Sequence, residues 1–367
     1  MRSRENTLLQ RWSRFLLLVI VLIGAPSAMV FYADSNQLGA RGYQSSKVAT
    51  IVGPPSDLPV TLAATGKQPV TYIRSIDTQI VSKHWKGTGR YSIRRQVSMI
   101  KNLGATYVAI STPYNRPEEI RLWSDEIHRA GLRVWYRSHW LEWEGDEGYI
   151  ANLSQADYLT KTSQFIITNK DIFKEGDAFT VCVEPEQMYT ARSKKMDWEE
   201  LNKFIVDQAD VADEAFAKIG HKDEIYTNWI SVNGYIGLSG LTERTVKRLG
   251  LITLDHYPKA DQGLLRTEMA DRWLQEIDRV HEKWQVPILL GEFGYNVEKE
   301  VTSAEQKRAV DLMLEKARTR PYIIGINYWV HMGNSSRIIN DILGQPVSYR
   351  SAAYSLRAFF VEKSKAI

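Results

Sequence analysis

The feature that most constrains this chain is a rhythm. From Val70 to the C-terminus, short β-branched or aromatic runs alternate with longer amphipathic stretches, eight times over. The strand-like runs are "VTYIRSI" (70–76), "TYVAIST" (106–112), "LRVWYRSHW" (132–140), "AFTVCVEP" (178–185), "EIYTNWI" (224–230), "LITLDHYP" (251–258), "VPILLGEF" (286–293) and "IIGINYW" (323–329). Between them lie helix-like segments such as "RRQVSMIKNLG", "RPEEIRLWSDEIHRAG", "DWEELNKFIVDQADVADEAFAKIG" and "SAEQKRAVDLMLEKAR". Asp197 and Ser303 stand where N-caps belong, and "SYRSAAYSLRAFFVEK" closes the series.

Parallel strands need a crossover, usually a helix, so the alternation predicts a parallel sheet covered by helices. Eight such units in this length fit an α/β fold of the (β/α)8 TIM-barrel type over residues 70–367. An open doubly wound sheet is the alternative, but no glycine-rich turn able to hold a dinucleotide follows the first strand.

Three segments precede the barrel. Residues 1–14 are basic, with Arg2, Arg4, Arg11 and Arg14; residues 15–33, "FLLLVIVLIGAPSAMVFYA", carry no charge and are long enough to cross a bilayer. The arginines predict an uncleaved anchor with its flank in the cytoplasm. Ala25 and Ser27 leave a cleaved signal peptide as the other reading. Either way the barrel is expected outside the cytoplasm, membrane-anchored or secreted. Residues 34–69 have Gly, Ser and Pro punctuation and no helical period, as a linker would. A net charge of +4 over 367 residues gives no basic footprint for nucleic acid. The single cysteine, Cys182, rules out an intramolecular disulfide and a cysteine-based metal site.

In such a barrel the chemistry gathers at the carboxyl ends of the strands. The seventh run ends in Glu292, which shares strand parity with Ile288 and Leu290; the fourth ends in Glu184, which shares it with Ala178, Thr180 and Cys182. If these faces line the interior, both acids point into the mouth. Glu186, beyond Pro185, is the alternative acid. Two carboxyls opposed across a cleft, with neighbours that separate their pKa values, are what glycosidic cleavage uses. Aromatic residues gather at the strand ends as well. Trp140, Trp229, Tyr257, Tyr295 and Trp329, with His139, His256 and Asn228 beside them, form a candidate saccharide-binding set, to which Trp85 and Trp143 add further rings. His139 and His256 lack a paired-histidine spacing, so neither metal nor organic cofactor is expected.

On these residues the chain resembles the clan of retaining (β/α)8 glycoside hydrolases that includes cellulases and β-mannanases. "VEPE" (183–186) is similar to the clan's Asn-Glu-Pro signature on the fourth strand, and "GEFGY" (291–295) to its signature on the seventh. The resemblance implies that Glu184 is the acid/base and Glu292 the nucleophile. "DHYP" (255–258) resembles the segment whose tyrosine, here Tyr257, bonds the nucleophile; "NYW" (327–329) matches the strand-eight tryptophan that floors the reacting-sugar subsite. Two departures stand out. Val183 replaces the asparagine, and the arginine usual near the end of the second strand is missing, with Arg74 and Arg137 as the available substitutes. The implied substrate is a β-linked saccharide. A glycan-binding barrel with weak catalysis and a transglycosylase are the other functions compatible with these residues.

Overall fold

The computed structural model describes residues 71–365 except 86, 142–149, 151, 189–194, 260–263 and 296–300. The segments 1–14, 15–33 and 34–69, together with Trp143, lie outside the described residues. Among the described residues, no helix is long and apolar enough to cross a membrane.

Eight parallel strands form one sheet: β1 Ile73–Asp77, β2 Tyr107–Ile110, β3 Arg133–Arg137, β4 Ala178–Thr180, β5 Ser231–Asn233, β6 Ile252–Asp255, β7 Ile288–Phe293 and β8 Ile323–Tyr328. Each strand pairs with its sequence neighbour, and β1 pairs with β8. The remaining seam, between β4 and β5, is closed by the residues just before β5. Gly176 N donates to Glu224 O at 2.8 Å, Phe179 N to Tyr226 O at 2.8 Å, and Tyr226 N to Asp177 O at 2.9 Å. The fifth strand segment of the sequence, 224–230, is therefore divided: its beginning hydrogen-bonds toward β4, and the strand that pairs with β6 starts only at Ser231.

The described helices are α1 Arg90–Asn102, α2 Pro117–Arg129, α3 Gln155–Thr168, α4 Trp198–Lys218, α5 Glu243–Leu249, α6 Thr267–Trp284, α7 Ser303–Arg318 and α8 Ser351–Lys363. Their starts follow from local chemistry: an N-cap oxygen accepts one of the first free backbone N–H groups. Asp197 caps α4 as expected. On α7 the cap is Thr302, one residue before Ser303, because Thr302 and Glu305 satisfy each other's backbone N–H groups in a capping box. A hairpin of β9 Ile339–Ile342 and β10 Gln345–Tyr349 separates β8 from α8.

The barrel interior is layered. Its lower part is apolar and aromatic, built from Ile73, Tyr107, Ala109, Trp135, Ala178, Tyr226, Trp229, Leu251 and Leu289. The polar edges of these rings find partners within the layer: Trp135 Nε1 donates to Thr180 Oγ1 at 2.9 Å and Tyr107 Oη to Gly176 O at 2.8 Å. Above this floor the interior turns polar. The Arg137 guanidinium lies 5.2 Å from the centre of the Trp135 ring, cation over aromatic face, and marks the change of layer.

Candidate active site

The polar layer is organised by Arg137, from the end of β3, which is 1 % exposed. Its Nη1 donates to Asp77 Oδ2 of β1 at 2.7 Å and reaches Glu292 Oε1 of β7 at 3.4 Å. Its Nη2 donates to Asp255 Oδ2 of β6 at 2.9 Å and to Ser231 Oγ of β5 at 3.1 Å. One guanidinium thus joins five strands. Asn327 of β8 adds a donor, with Nδ2 2.8 Å from Asp77 Oδ2 and 2.9 Å from the Gly291 carbonyl. A buried cation is tolerable only when paired and hydrogen-bonded. Burial alone would lower the Arg137 pKa, but Asp255, Asp77 and Glu292 hold it above its ordinary value. Arg74 takes no part, because its Nη1 donates to the Phe360 carbonyl on α8.

Glu292 reaches this layer by a route that simple parity does not provide. Leu289 belongs to the interior cluster, whereas Ile288 and Leu290 pack in the core outside it, opposite to the alternation expected from the sequence. The register explains the inversion: Leu254 pairs with Leu290 but Asp255 pairs with Glu292, so β7 carries one extra residue at Gly291. This bulge returns Glu292 to the inner face. Glycine is required there, since a Cβ would lie 2.5 Å from Asp255 Oδ1 and 2.7 Å from Thr253 Cγ2. Glu292 Oε2 accepts from the Tyr257 hydroxyl at 2.7 Å. Burial raises the Glu292 pKa, Arg137 opposes that rise, Asp77 adds to it, and the Tyr257 hydrogen bond opposes it again.

Glu184 arrives differently. β4 ends at Thr180, and Cys182 leaves the inner face to join Val181 in the outer core beside Tyr158 of α3. The chain then turns: Glu184 has φ +44°, a conformation costly for a residue with a Cβ and found where surrounding contacts over-determine it. Those contacts are Glu184 N to Ser231 O at 3.0 Å and Gln187 N to Glu184 O at 2.9 Å. Burial, then the carboxylates of Asp255, Glu292 and Glu186, push the Glu184 pKa well above the usual range, with Arg137 opposing. Glu186 is 1 % exposed. Its Oε1 accepts from Asn233 N at 2.7 Å and Asn233 Nδ2 at 2.8 Å, which binds it to the end of β5. Its Oε2 is buried without a partner, and burial raises its pKa although the Asn233 bonds oppose it.

Of the aromatic set, Trp329 and Tyr257 sit with Glu292. Their rings meet edge to face at 6.0 Å, and Trp329 Nε1 donates to Gln79 Oε1 at 2.5 Å. His256 lies at the rim, its Nε2 2.8 Å from Glu276 Oε2 of α6. The structure does not bring the others to the mouth. Trp229 is fully buried in the lower interior, stacked on Tyr226 at 4.9 Å. Asn228 donates to the Leu249 carbonyl, below β6. Trp140 packs between β3 and α3, its Nε1 on Thr162 Oγ1 at 3.0 Å. Tyr295 is 1 % exposed in the outer core, where burial and Glu305 of α7 push its phenol up to about 12. His139 is buried with Nδ1 against the Leu141 carbonyl. Trp85 is partly buried and packs on Gly344 beside the hairpin.

Sequence reasoning did not select Asp77, Asp255, Ser231, Gln79, Asn233 or Asn327. Asp77 and Asp255 carried a signal, since each ends a strand. Among the described residues, no group of three or more His, Cys, Asp or Glu side chains is arranged to hold a metal ion.

No family model matches the chain, and no curated protein matches it in sequence. Solved structures do. A GH113 β-1,4-mannanase superposes with a TM-score of 0.52 at 14 % identity, over 79 % of this chain and 99 % of that one. What they share with this chain is the (β/α)8 barrel. A GH113 β-mannanase from Alicyclobacillus acidocaldarius, in complex with ManMIm, gives 0.50 at 15 % identity over 80 % of this chain and 98 % of that one. A β-glucuronidase from Ruminococcus gnavus in complex with D-glucuronic acid gives 0.56 at 11 % identity, over 79 % of this chain and 49 % of that longer one.

Proposed function

We propose that this protein is a retaining glycoside hydrolase acting on a β-linked oligo- or polysaccharide outside the cytoplasm. One observation carries the reading: two partly buried carboxyls at one barrel mouth sit in environments that separate their protonation. Glu292 has Arg137 and Tyr257 to stabilise its anion. At Glu184, by contrast, burial and the charges of Asp255, Glu292 and Glu186 raise the pKa, and Arg137 opposes that rise. The chain shares its fold with a β-1,4-mannanase and a β-glucuronidase, which supports the reading.

The chemistry then runs in two displacements. Ionised Glu292 attacks the anomeric carbon and forms the glycosyl ester as the bond to the leaving oxygen breaks, and Glu184 gives that oxygen its proton. In the second step Glu184 takes a proton from water, the water oxygen bonds to the anomeric carbon, and the ester bond breaks to regenerate the Glu292 carboxylate. Trp329 supplies an aromatic face for the reacting sugar. The arginine-flanked apolar run at residues 15–33 supports export, with the barrel anchored or released.

Reducing-end release from β-mannans, β-glucans and bacterial exopolysaccharides tests the reading, with NMR following the anomer formed first. New reducing ends that appear first as the β-anomer are expected. An inverted product would remove Glu292 as nucleophile. Binding without any new reducing end would favour a glycan-binding barrel, the reading to which half-buried Val183 contributes by replacing a polar contact with an apolar one. Products longer than the substrate, seen by mass, would indicate transglycosylation.

A further inference from the structure

The end of β5 and the turn that carries Glu184 form one unit. Glu184 N bonds to Ser231 O, and Asn233 holds Glu186 Oε1 through both its backbone and its side chain. The chain next passes flush against the His256 imidazole. At Gly234 a Cβ would lie 2.6 Å from His256 Nδ1, so only a bare backbone fits. The residue that emerges from this constriction is Tyr235, which is 57 % exposed. It opens a wide helical turn, Ile236–Gly240, whose far end packs under the ring of Trp198, itself 39 % exposed at the start of α4.

Aromatic residues thus accompany both acids. Trp329 and Tyr257 belong to Glu292, and Tyr235 belongs to the Glu184–Glu186 turn. Burial, then the nearby carboxyls of Glu186 and Glu184, push the Tyr235 phenol up to about 12, so it remains a hydrogen-bond donor throughout the neutral range. A flat apolar face with a donor at its tip suits a pyranose ring.

Building on the glycoside-hydrolase reading, we propose that Tyr235 is the binding platform for the sugar on the leaving-group side of the scissile bond. The geometry follows from the roles. The group beside the proton donor is the one that departs with the proton, so an exposed ring next to Glu184 contacts the leaving group rather than the sugar that stays on Glu292. The preferred substrate is then a saccharide whose leaving group is itself a sugar ring, not a glycoside of a small alcohol.

The test compares wild type, Tyr235→Ala and Tyr235→Phe on two probes. The first is a panel of β-linked gluco- and manno-oligosaccharides. The second is the matching β-glycosyl fluorides, whose single-atom leaving group cannot reach Tyr235. We expect Tyr235→Ala to lose about tenfold in kcat/KM on the oligosaccharide that wild type cleaves and to keep wild-type turnover of the fluoride, with Tyr235→Phe between them. Equal kcat/KM for all three proteins on the oligosaccharide, or an equal loss on both probes, overturns the platform. Wild type that cleaves only small-aglycone glycosides overturns it as well. Wild type that turns over neither probe overturns the hydrolase reading beneath it, a result distinct from the others. Because Tyr235 is exposed, thermal melting of the variants should match wild type, which separates loss of contact from loss of fold.

Discussion

The ends of β4 and β7 each deliver a carboxyl to the mouth, and they do so by opposite departures from a regular strand. β7 is a six-residue strand that keeps its pairing and adds a residue at Gly291, so Glu292 is swung inward from a position whose alternation points out. β4 stops after three residues, and Glu184 is carried in by a left-handed turn fixed to β5. Both residues end up partly buried, so depth does not distinguish them. Neighbours do: a guanidinium and a phenol donate to Glu292, while carboxylates crowd Glu184. Desolvation raises both groups, and the local donors decide which proton leaves first.

The largest test of this contrast is to erase one side. Glu292→Gln should lower turnover of an activated aryl glycoside by a factor on the order of 10⁴ or more, because it removes the proposed nucleophile. It should also lower the pKa of Glu184, since the Glu292 carboxylate is among the charges that raise it. Carboxyl ¹³C NMR would follow that titration, and an unmoved Glu184 would mean that the two sides do not interact. Glu184→Gln should cost about 10² to 10⁴ on an oligosaccharide and only a few-fold on a dinitrophenyl glycoside, whose leaving group needs no proton. The basic limb of the pH profile, set by Glu184, should disappear. If Glu186→Gln produced this pattern and Glu184→Gln did not, the acid on the β4 side would be the residue bound to Asn233 instead.

Much of the fold was legible because a barrel repeats one physical instruction eight times: a short buried strand, then an amphipathic crossover. What escaped the sequence lies where that instruction is broken. A bulge adds one residue without any compositional signature, so the parity of Ile288 and Leu290 pointed to the wrong face while the inference for Glu292 survived through Gly291. Cys182 left its face because β4 ends at Thr180, two residues before it. Trp229 and Asn228 were misplaced for a different reason. An aromatic or amide near the end of a β-rich run reads the same whether it lies at the mouth or on the barrel floor, and the fifth strand begins one residue after the run taken for it. Asp77 and Asp255 were overlooked because the polar layer becomes evident only once Arg137, from a third strand, is seen to bridge them.

The smallest perturbation sharpens the contrast most finely. Tyr257→Phe removes one hydroxyl, the 2.7 Å donor to Glu292, and leaves the ring in place against Trp329. That donor lowers the Glu292 pKa, so its loss raises it. As the proposed nucleophile Glu292 must be ionised to attack, hence the acid limb of kcat/KM should move to higher pH, while the basic limb, assigned to Glu184 as the proposed acid, should stay. A charge-assisted hydrogen bond of this kind is worth roughly 1.5 to 3 kcal/mol, which corresponds to a loss of about ten- to a hundredfold where Glu292 is partly protonated, shrinking at pH above its new value. A uniform drop with both limbs unmoved would show that Tyr257 acts only by holding Trp329, and that Arg137 alone opposes the rise of the Glu292 pKa.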